Sequence, residues 1–362
     1  MNAEPFGNLP EGSSLMVAFS GGVDSSVATH LCREAGYKVH AVFMSHLRGG
    51  PAARKKAAAA ADVLGVPLDF LELADEFETE IMHPAWEEYA RGRTPNPCAR
   101  CNPLFKFGRL IEYAKSRDCS GFVTGHYARI LHEADGSTRL LRGACTQKDQ
   151  SYFLFGLSPR QLAFSYLPLG LLEKIQVREI ARGLGLPNAD APESQDACFA
   201  PQDGTPLAEM LRRRFQAEPR KGDFLASDGT KLGPHNGMHA YTIGQRKGMG
   251  VALGAPAYVR KIDAASGNIV LTVDQEELFS DGAVLENPNW LRREYAEKDS
   301  FSCDVRIRYR SRNVRGTVTR TSTAELAVRF DEPQRAVTPG QAAVFYEGDE
   351  VIGGAWIQSA EL

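Results

Sequence analysis

The chain has 362 residues, 43% of them hydrophobic and 24% charged, an ordinary globular balance that excludes wholesale disorder and leaves room for two or three domains. Forty-two Lys and Arg against 45 Asp and Glu give a formal net charge of −3, so any surface for a polyanion must be local. No apolar run approaches the roughly 18 residues of a spanning helix, and seven cysteines are too sparse and too odd in number for a secreted disulfide framework.

The first residues, MNAEPFGNLPEGSS, show no basic stretch followed by an apolar one. The expectation is a cytoplasmic protein with no membrane partner. Leu15–Phe19 is a short continuous apolar run, the pattern of a strand buried on both faces. Glycines follow, then Val27, Leu31 and Ala35 recur at helical spacing before the strand Lys38–Met44. Such a βαβ unit implies a parallel sheet. The alternation continues with helix Ala52–Leu64, strand Leu68–Leu73, helices Glu76–Tyr89 and Phe105–Lys115, and strand Gly121–Thr124. Asp135-Gly136, between ARILH and TRLLR, reads as a hairpin turn. Beyond Cys198 the texture changes. One short helix, Leu207–Phe215, precedes Gly-rich short strands, and from Glu276 onward strands alternate with turn signals. The expected architecture is α/β: a parallel-sheet domain over 1–205, a small linking domain over 206–275, and a C-terminal β-barrel over 276–362.

Ser20-Gly21-Gly22-Val23-Asp24-Ser25 falls where the first strand hands over to the first helix. Paired glycines let the backbone turn tightly and offer N–H groups to an anion. The helix that follows points its positive end, with the Ser25 and Ser26 hydroxyls, at the same place. A Gly-rich turn without a ligand is the plain alternative, and the full string at a strand-to-helix junction argues against it. Neither G-x-x-x-x-G-K-S/T nor G-x-G-x-x-G is present here, so this is not either of those nucleotide loops.

The segment Thr94–Pro103 (TPNPCARCNP) carries two cysteines among prolines that hold the preceding chain extended. Asn102-Pro103 reads as the cap and first residue of the next helix, which sets Cys101 just ahead of a helix N-terminus where thiolate is favoured. Cys198 stands in the polar string SQDACF, 97 residues further on. C-x-x-C suits zinc or redox chemistry, and a lone cysteine more often packs as a small hydrophobe. Cys32, Cys145 and Cys303 read as core, and Cys119 as either. Val305–Arg310 (VRIRYR) alternates arginines, which in a strand would put Arg306, Arg308 and Arg310 on one face, ready for a phosphate backbone. Arg312, Arg315 and Arg320 follow, and Arg212–Arg214 form a second run; a solvated face is the plain reading of each.

Along nearly its whole length the chain resembles bacterial tRNA-specific 2-thiouridylases, of the PP-loop ATP pyrophosphatase superfamily. The strings that carry the resemblance are SGGVDSSV, GRTPNPCARCN, TGHYAR at Thr124–Arg129, KDQSYFL at Lys148–Leu154, SQDACF, YTIGQRKGMG at Tyr241–Gly250, RYR at Arg308–Arg310 and TPGQAAVFY at Thr338–Tyr346. The resemblance implies an adenine nucleotide α-hydrolase-like first domain. It implies an enzyme that uses ATP and Mg²⁺ to adenylate O2 of the wobble uridine of tRNA, then replaces that oxygen with sulfur, releasing AMP and pyrophosphate. Ala18, Phe19, Ser20, Gly21, Gly22, Val23, Asp24 and Ser25 would hold ATP with Met44 and Gly125, Asp24 lying near Mg²⁺. Asn96, Pro97, Cys98, His126, Lys148, Asp149, Gln150, Arg308, Tyr309 and Gln341 would touch tRNA. Cys101 would be the nucleophile. Cys198 would carry a persulfide from an upstream sulfur-relay protein or cysteine desulfurase, and the two would close into a disulfide as turnover ends.

One position departs from the family: Cys98 stands where most members have Asp. Cys98, Cys101 and Cys198 together are three of the four thiolates that usually hold a [4Fe–4S] cluster, which with one open iron would take hydrosulfide. The plain alternative is that Cys98 fills the Asp position with no metal, and both readings stand at this point. Two other functions compete. Another PP-loop ligase would make AMP with an amino acid or ammonia rather than tRNA. A non-catalytic tRNA-binding protein with a metal clip would bind tRNA without cleaving ATP.

Overall fold

Five parallel strands begin the chain: β1 (Ser14–Ala18), β2 (Lys38–Ser45), β3 (Leu68–Glu72), β4 (Gly121–Val123) and, later, Ser165–Tyr166, in the order β3-β2-β1-β4 with Ser165–Tyr166 at the far edge. The computed structural model describes residues 6–7, 9–47, 50–186, 188–190, 196–251 and 253–361. Leu15, Met16 and Val17 of β1 have no exposed surface, as a central parallel strand requires. The chain winds from β1 out to β3 and then crosses to β4 on the other side. That reversal opens a crevice at the carboxyl ends of β1 and β4, where open α/β sheets hold ligands.

Helices α1 (Val23–Glu34) and α2 (Pro51–Leu64) follow β1 and β2. Proline opens α2 and Gly65, at φ 60°, closes it, the usual asymmetry of helix ends. The cysteine-bearing helix differs from expectation. Asn96, not Asn102, is its cap, accepting the Ala99 N–H at 3.2 Å, and Pro97 is its first residue. The helix runs on through a wider π-type stretch, Asn102–Arg109, to Ser116. Cys101 therefore lies inside the helix and Cys98 in its first turn. Pro103 is accommodated because π-type winding already displaces the hydrogen bonds it would break.

The segment between the two larger parts folds into a four-stranded sheet of Gly222–Ala226, Lys231–His235, Tyr258–Ile262 and Ile269–Thr272. The C-terminal strands Phe279–Trp290, Ser300–Arg306, Val314–Arg320, Glu325–Arg335, Ala342–Glu347 and Glu350–Glu361 pair antiparallel in a ring of six that closes where Phe279–Trp290 meets Glu350–Glu361. The hairpin Ala128–His132/Thr138–Arg142 forms as read from its Asp-Gly turn. It also leaves the parallel sheet and pairs with the last barrel strand, Leu141 opposite Glu350. One hydrophobic core runs from Met16 through Phe105, Phe107 and Phe155 to Val344 and Tyr346 of the barrel. Among the described residues no helix is long and apolar enough to cross a membrane.

A buried ion pair spans the same junction. Arg306 Nη1 lies 3.1 Å from Asp149 Oδ2, with the carboxylate side chain only 2% exposed. The Gly143 and Ser151 amides donate to Asp149 Oδ1 at 3.1 and 3.0 Å, and the Ser151 hydroxyl donates to Oδ2. Arg306→Ala strands that carboxylate, and a loss of about 3–5 kcal/mol in unfolding free energy is expected. Chemical denaturation of both proteins measures it; an unchanged midpoint would show that the pair is not a staple between the parts.

Candidate active site

The loop after β1 turns as its glycines allow. Gly21 sits at φ +66°, and a Cβ there would lie 2.6 Å from the Ala57 Cα, so only glycine lets the loop rest against α2. Gly22 caps α1 in an extended conformation. Ser20 Oγ and Ser25 Oγ are 3.2 Å apart, the Ser25 hydroxyl donates to the Gly22 carbonyl, and the Gly22 N–H points to Ser20 Oγ at 3.3 Å. Gly125, at the end of β4, lies so close that its Cβ would be 2.9 Å from the Asp24 carbonyl carbon. Asp24 Oδ1 accepts from the Tyr127 hydroxyl at 2.7 Å and from Lys174 Nζ at 2.5 Å. Ala18 ends β1, Val23 opens α1, and Phe19 between them donates its N–H to the Val42 carbonyl at 2.8 Å. Met44 closes the carboxyl end of β2, packed on the core.

A cleft of about 920 Å³ opens in front of this loop. Ser20, Gly22 and Asp24 form one end. Pro95, Asn96, Pro97, Cys98, Asn102 and Lys106 form one wall, and Lys148, Gln150 and Phe153 the other. Asp196 and Ala197 bring in the segment before Cys198, and Tyr309, Arg310 and Gln341 bring in the barrel. Among the described residues its walls carry six cations (Lys56, Lys106, Lys148, Lys174, Arg178, Arg310) against two carboxylates. A polyanion is the fitting occupant. Ser194 and Gln195 of the SQDACF string lie outside the described residues.

The cysteines stand as free thiols, Cys101 buried, Cys98 half-buried and Cys198 exposed. Burial pushes the Cys101 thiol up to about 12, while the Lys106 charge pulls it back and thiolate at Cys198 or Cys98 opposes it. Cys98 is raised for the same reasons. Cys198 keeps accessible surface yet stands in a recess crowded by chain, and that crowding raises its thiol, again against Lys106. The helix field expected to favour thiolate at Cys101 is thus outweighed, since the residue lies past the first turn. No three Cys, His, Asp or Glu among the described residues gather where one metal ion would reach them, and a [4Fe–4S] cluster is given no part in the route below. Cys32, Cys119, Cys145 and Cys303 are buried in the packing.

On the expected RNA side, Gln341 Nε2 donates to the Thr94 and Pro95 carbonyls at 2.9 and 3.2 Å, tying the barrel to the cysteine segment. Gln150 Oε1 accepts the Tyr127 N–H at 3.0 Å. His126 is buried, its Nδ1 2.7 Å from Thr124 Oγ1, and burial with the nearby Lys106 charge holds it well below its usual pKa, neutral at pH 7. Tyr309 packs on Phe153, ring centroids 4.5 Å apart.

The arginine stripe needs correction. The strand stops at Arg306, and Ile307–Arg310 turn, so alternation does not continue to one face. Arg306 is half-buried and paired with the buried Asp149. Arg308 is half-buried and donates to the Arg335 carbonyl at 2.8 Å. Arg310 alone of the three lines the cleft. The second run is occupied as well: Arg212 and Arg213 bond Glu209, and Arg214 bonds Glu78.

Sequence reasoning missed Lys106, Lys174, Arg178 and Asn188. Lys174 and Arg178 are four apart on the helix Lys174–Gly183, a spacing that places both on one face and was there to be read. Asn188, whose Nδ2 donates to the Gly21 carbonyl, gives no local sign at all.

Family profiles match three segments: the tRNA methyl transferase HUP domain over residues 13–202, the tRNA methyl transferase PRC-barrel domain over 209–273, and the aminomethyltransferase beta-barrel domain over 280–357. A tRNA-specific 2-thiouridylase MnmA of Syntrophotalea carbinolica is 42% identical over 350 residues, 95% of this chain and 98% of its own. Proteins of the same name from Nostoc punctiforme and Carboxydothermus hydrogenoformans are each 40% identical, covering 95% of this chain and 98% and 97% of theirs. A crystal structure of a 4-thiouridine synthetase–RNA complex with bound ATP shares 18% identity over 58% of this chain and 52% of that one, with a TM-score of 0.34, a likeness too distant to argue from.

Proposed function

The chain belongs to the family of tRNA-specific 2-thiouridylases, ATP-dependent tRNA sulfurtransferases, and on that premise we propose how its own residues carry the reaction. The observation that carries the reading is the single cleft that joins the Ser20–Ser25 loop, the cysteine wall and the barrel turn.

ATP lies with its phosphates on the loop N–H groups and the amino end of α1, with Lys56, Lys174 and Arg178 beside them. Asp24 fits a Mg²⁺ role: its Oδ1 is engaged, and among the described residues no hydrogen bond is made to Oδ2. With the phosphate oxygens it would hold the ion, which supplies charge neutralisation to the leaving pyrophosphate. O2 of the wobble uridine attacks the α-phosphorus. The bond to the bridging oxygen breaks, pyrophosphate leaves with that electron pair, and the ring gives up its N3 proton to solvent. The outer sulfur of a Cys198 persulfide then attacks C2 and AMP leaves. The Cys101 thiolate attacks the Cys198 sulfur and breaks its bond to the transferred atom. The ring regains a proton at N3 and keeps the sulfur as a thiocarbonyl, and a Cys101–Cys198 disulfide remains for an external dithiol to reduce. The persulfide comes from a sulfur-relay protein or a cysteine desulfurase.

With unmodified tRNA, ATP and persulfide-loaded enzyme, AMP and pyrophosphate should form only when tRNA is present and match the 2-thiouridine found by nucleoside mass spectrometry. AMP formed with an amino acid or ammonia instead would favour a different ligase; tRNA binding without ATP cleavage would leave a binding protein. Arg310→Ala should weaken tRNA binding and reduce the log–log salt slope by roughly 0.7–0.9, the loss of one phosphate contact. A salt titration that leaves the slope intact would take Arg310 out of the interface.

A further inference from the structure

Asn102 follows Cys101 and is 2% exposed. Its Nδ2 donates to the Phe153 carbonyl at 2.9 Å. A carbonyl only accepts, so the amide must face it with its NH₂, and the orientation of the side chain is fixed. Oδ1 is then left buried with no donor. Native folds rarely leave such an acceptor unmet without a use for it.

Its position supplies the use. Asn102 and Phe153 both line the cleft, and Asn102 stands between Cys98 and Lys106 along one helix. These three residues are four apart. In regular helix a step of four advances about 40° past a full turn, and over eight residues Lys106 would drift from the cleft. The wider winding of Asn102–Arg109 turns back most of that drift and keeps one wall continuous.

We propose that Asn102 Oδ1 accepts the N3–H of the target uracil and selects uridine over cytidine. This inference rests on the thiolation reading above. Uracil enters with a proton at N3, given up only on adenylation, whereas cytosine presents a bare acceptor there from the first, which would meet Oδ1 as one lone pair against another on binding. N3 is bonded to C2, so a base held at N3 has its reacting carbon one bond from the anchor. The entering base brings the donor that Oδ1 lacks. Reading a base by hydrogen bonds to its pairing edge is the usual device of enzymes that act on an unstacked nucleotide.

The test is binding of anticodon stem-loops carrying uridine, N3-methyluridine or cytidine at the target position, without ATP. Wild-type protein should bind the uridine form about tenfold or more tighter than either other, the scale of one hydrogen bond gained against an acceptor left buried. Asn102→Ala should bind all three alike, by losing affinity for uridine only; Asn102→Ser replaces it if the alanine protein fails to fold. Equal wild-type affinities would overturn the proposal, as would a preference kept by the variant. A uniform loss for all three ligands would do so too, reducing Asn102 to a tie for the Phe153 loop. Thiolation of uridine tRNA by wild-type enzyme is followed in parallel: its absence would sink the thiolation reading, while the affinity ratios judge this one separately.

Discussion

Cys101→Ser and Cys198→Ser should each stop sulfur transfer, by on the order of 10³-fold or more, while AMP and pyrophosphate still form on unmodified tRNA. Serine keeps the volume and loses the sulfur, so only the second half of the reaction should fail. Adenylation depends on the Ser20–Ser25 loop, which neither cysteine touches. The pH profile adds a signature. Burial raises the Cys101 thiol to about 12, so its reactive thiolate is scarce at neutral pH and grows as pH rises. Single-turnover transfer from preformed adenylate should therefore climb through pH 7–9 without levelling at the ordinary thiol value of about 8.5. Rapid-quench sampling of 2-thiouridine measures both effects. Full transfer by either serine variant would remove that cysteine from the route.

The second large effect separates two adjacent glycines. Gly22→Val should abolish adenylation and leave the thermal midpoint nearly unchanged. Gly22 has φ −84°, open to any residue, and its Cβ would meet only Ser20 Oγ at 3.2 Å. A branched side chain there still stands between phosphate and the loop amides. Gly21→Val should damage the fold itself, because its Cβ strikes the α2 backbone and its φ of +66° strains a branched residue. Pyrophosphate release and a thermal melt on both variants check this. Normal release by Gly22→Val would mean the phosphates do not sit on that amide.

The fold was legible where a local rule decided it. Leu15–Phe19 declared a buried strand, the Gly-Gly string declared a strand-to-helix loop, and Asp135-Gly136 declared its hairpin. The errors came where long-range packing overrode local grammar. Asn102-Pro103 has the form of a helix start, but Asn96-Pro97 has it too, and π-type winding absorbed the second proline. VRIRYR alternates like a strand, yet the strand ends at Arg306, whose guanidinium is paired with Asp149, 157 residues away. Most of the cleft's named residues came from the family strings. Lys106 did not, because its position depends on a change of helical winding that side-chain periodicity does not record.

The hairpin that leaves the first sheet to pair with the last barrel strand bears on how such enzymes can evolve. Two modules joined by a linker can be traded: one catalytic unit can acquire a new recognition unit by gene fusion. Here the junction is a shared sheet, a common core and a carboxylate, Glu350, held by Arg139 from one side and Arg292 from the other. A substitute barrel would have to supply that edge, that carboxylate and a partner for Asp149 at once, or leave strand edges bare and prone to pairing with other chains. Inheritance is thereby constrained to the whole. Drift in RNA preference must proceed by point changes around the cleft rather than by exchange of parts.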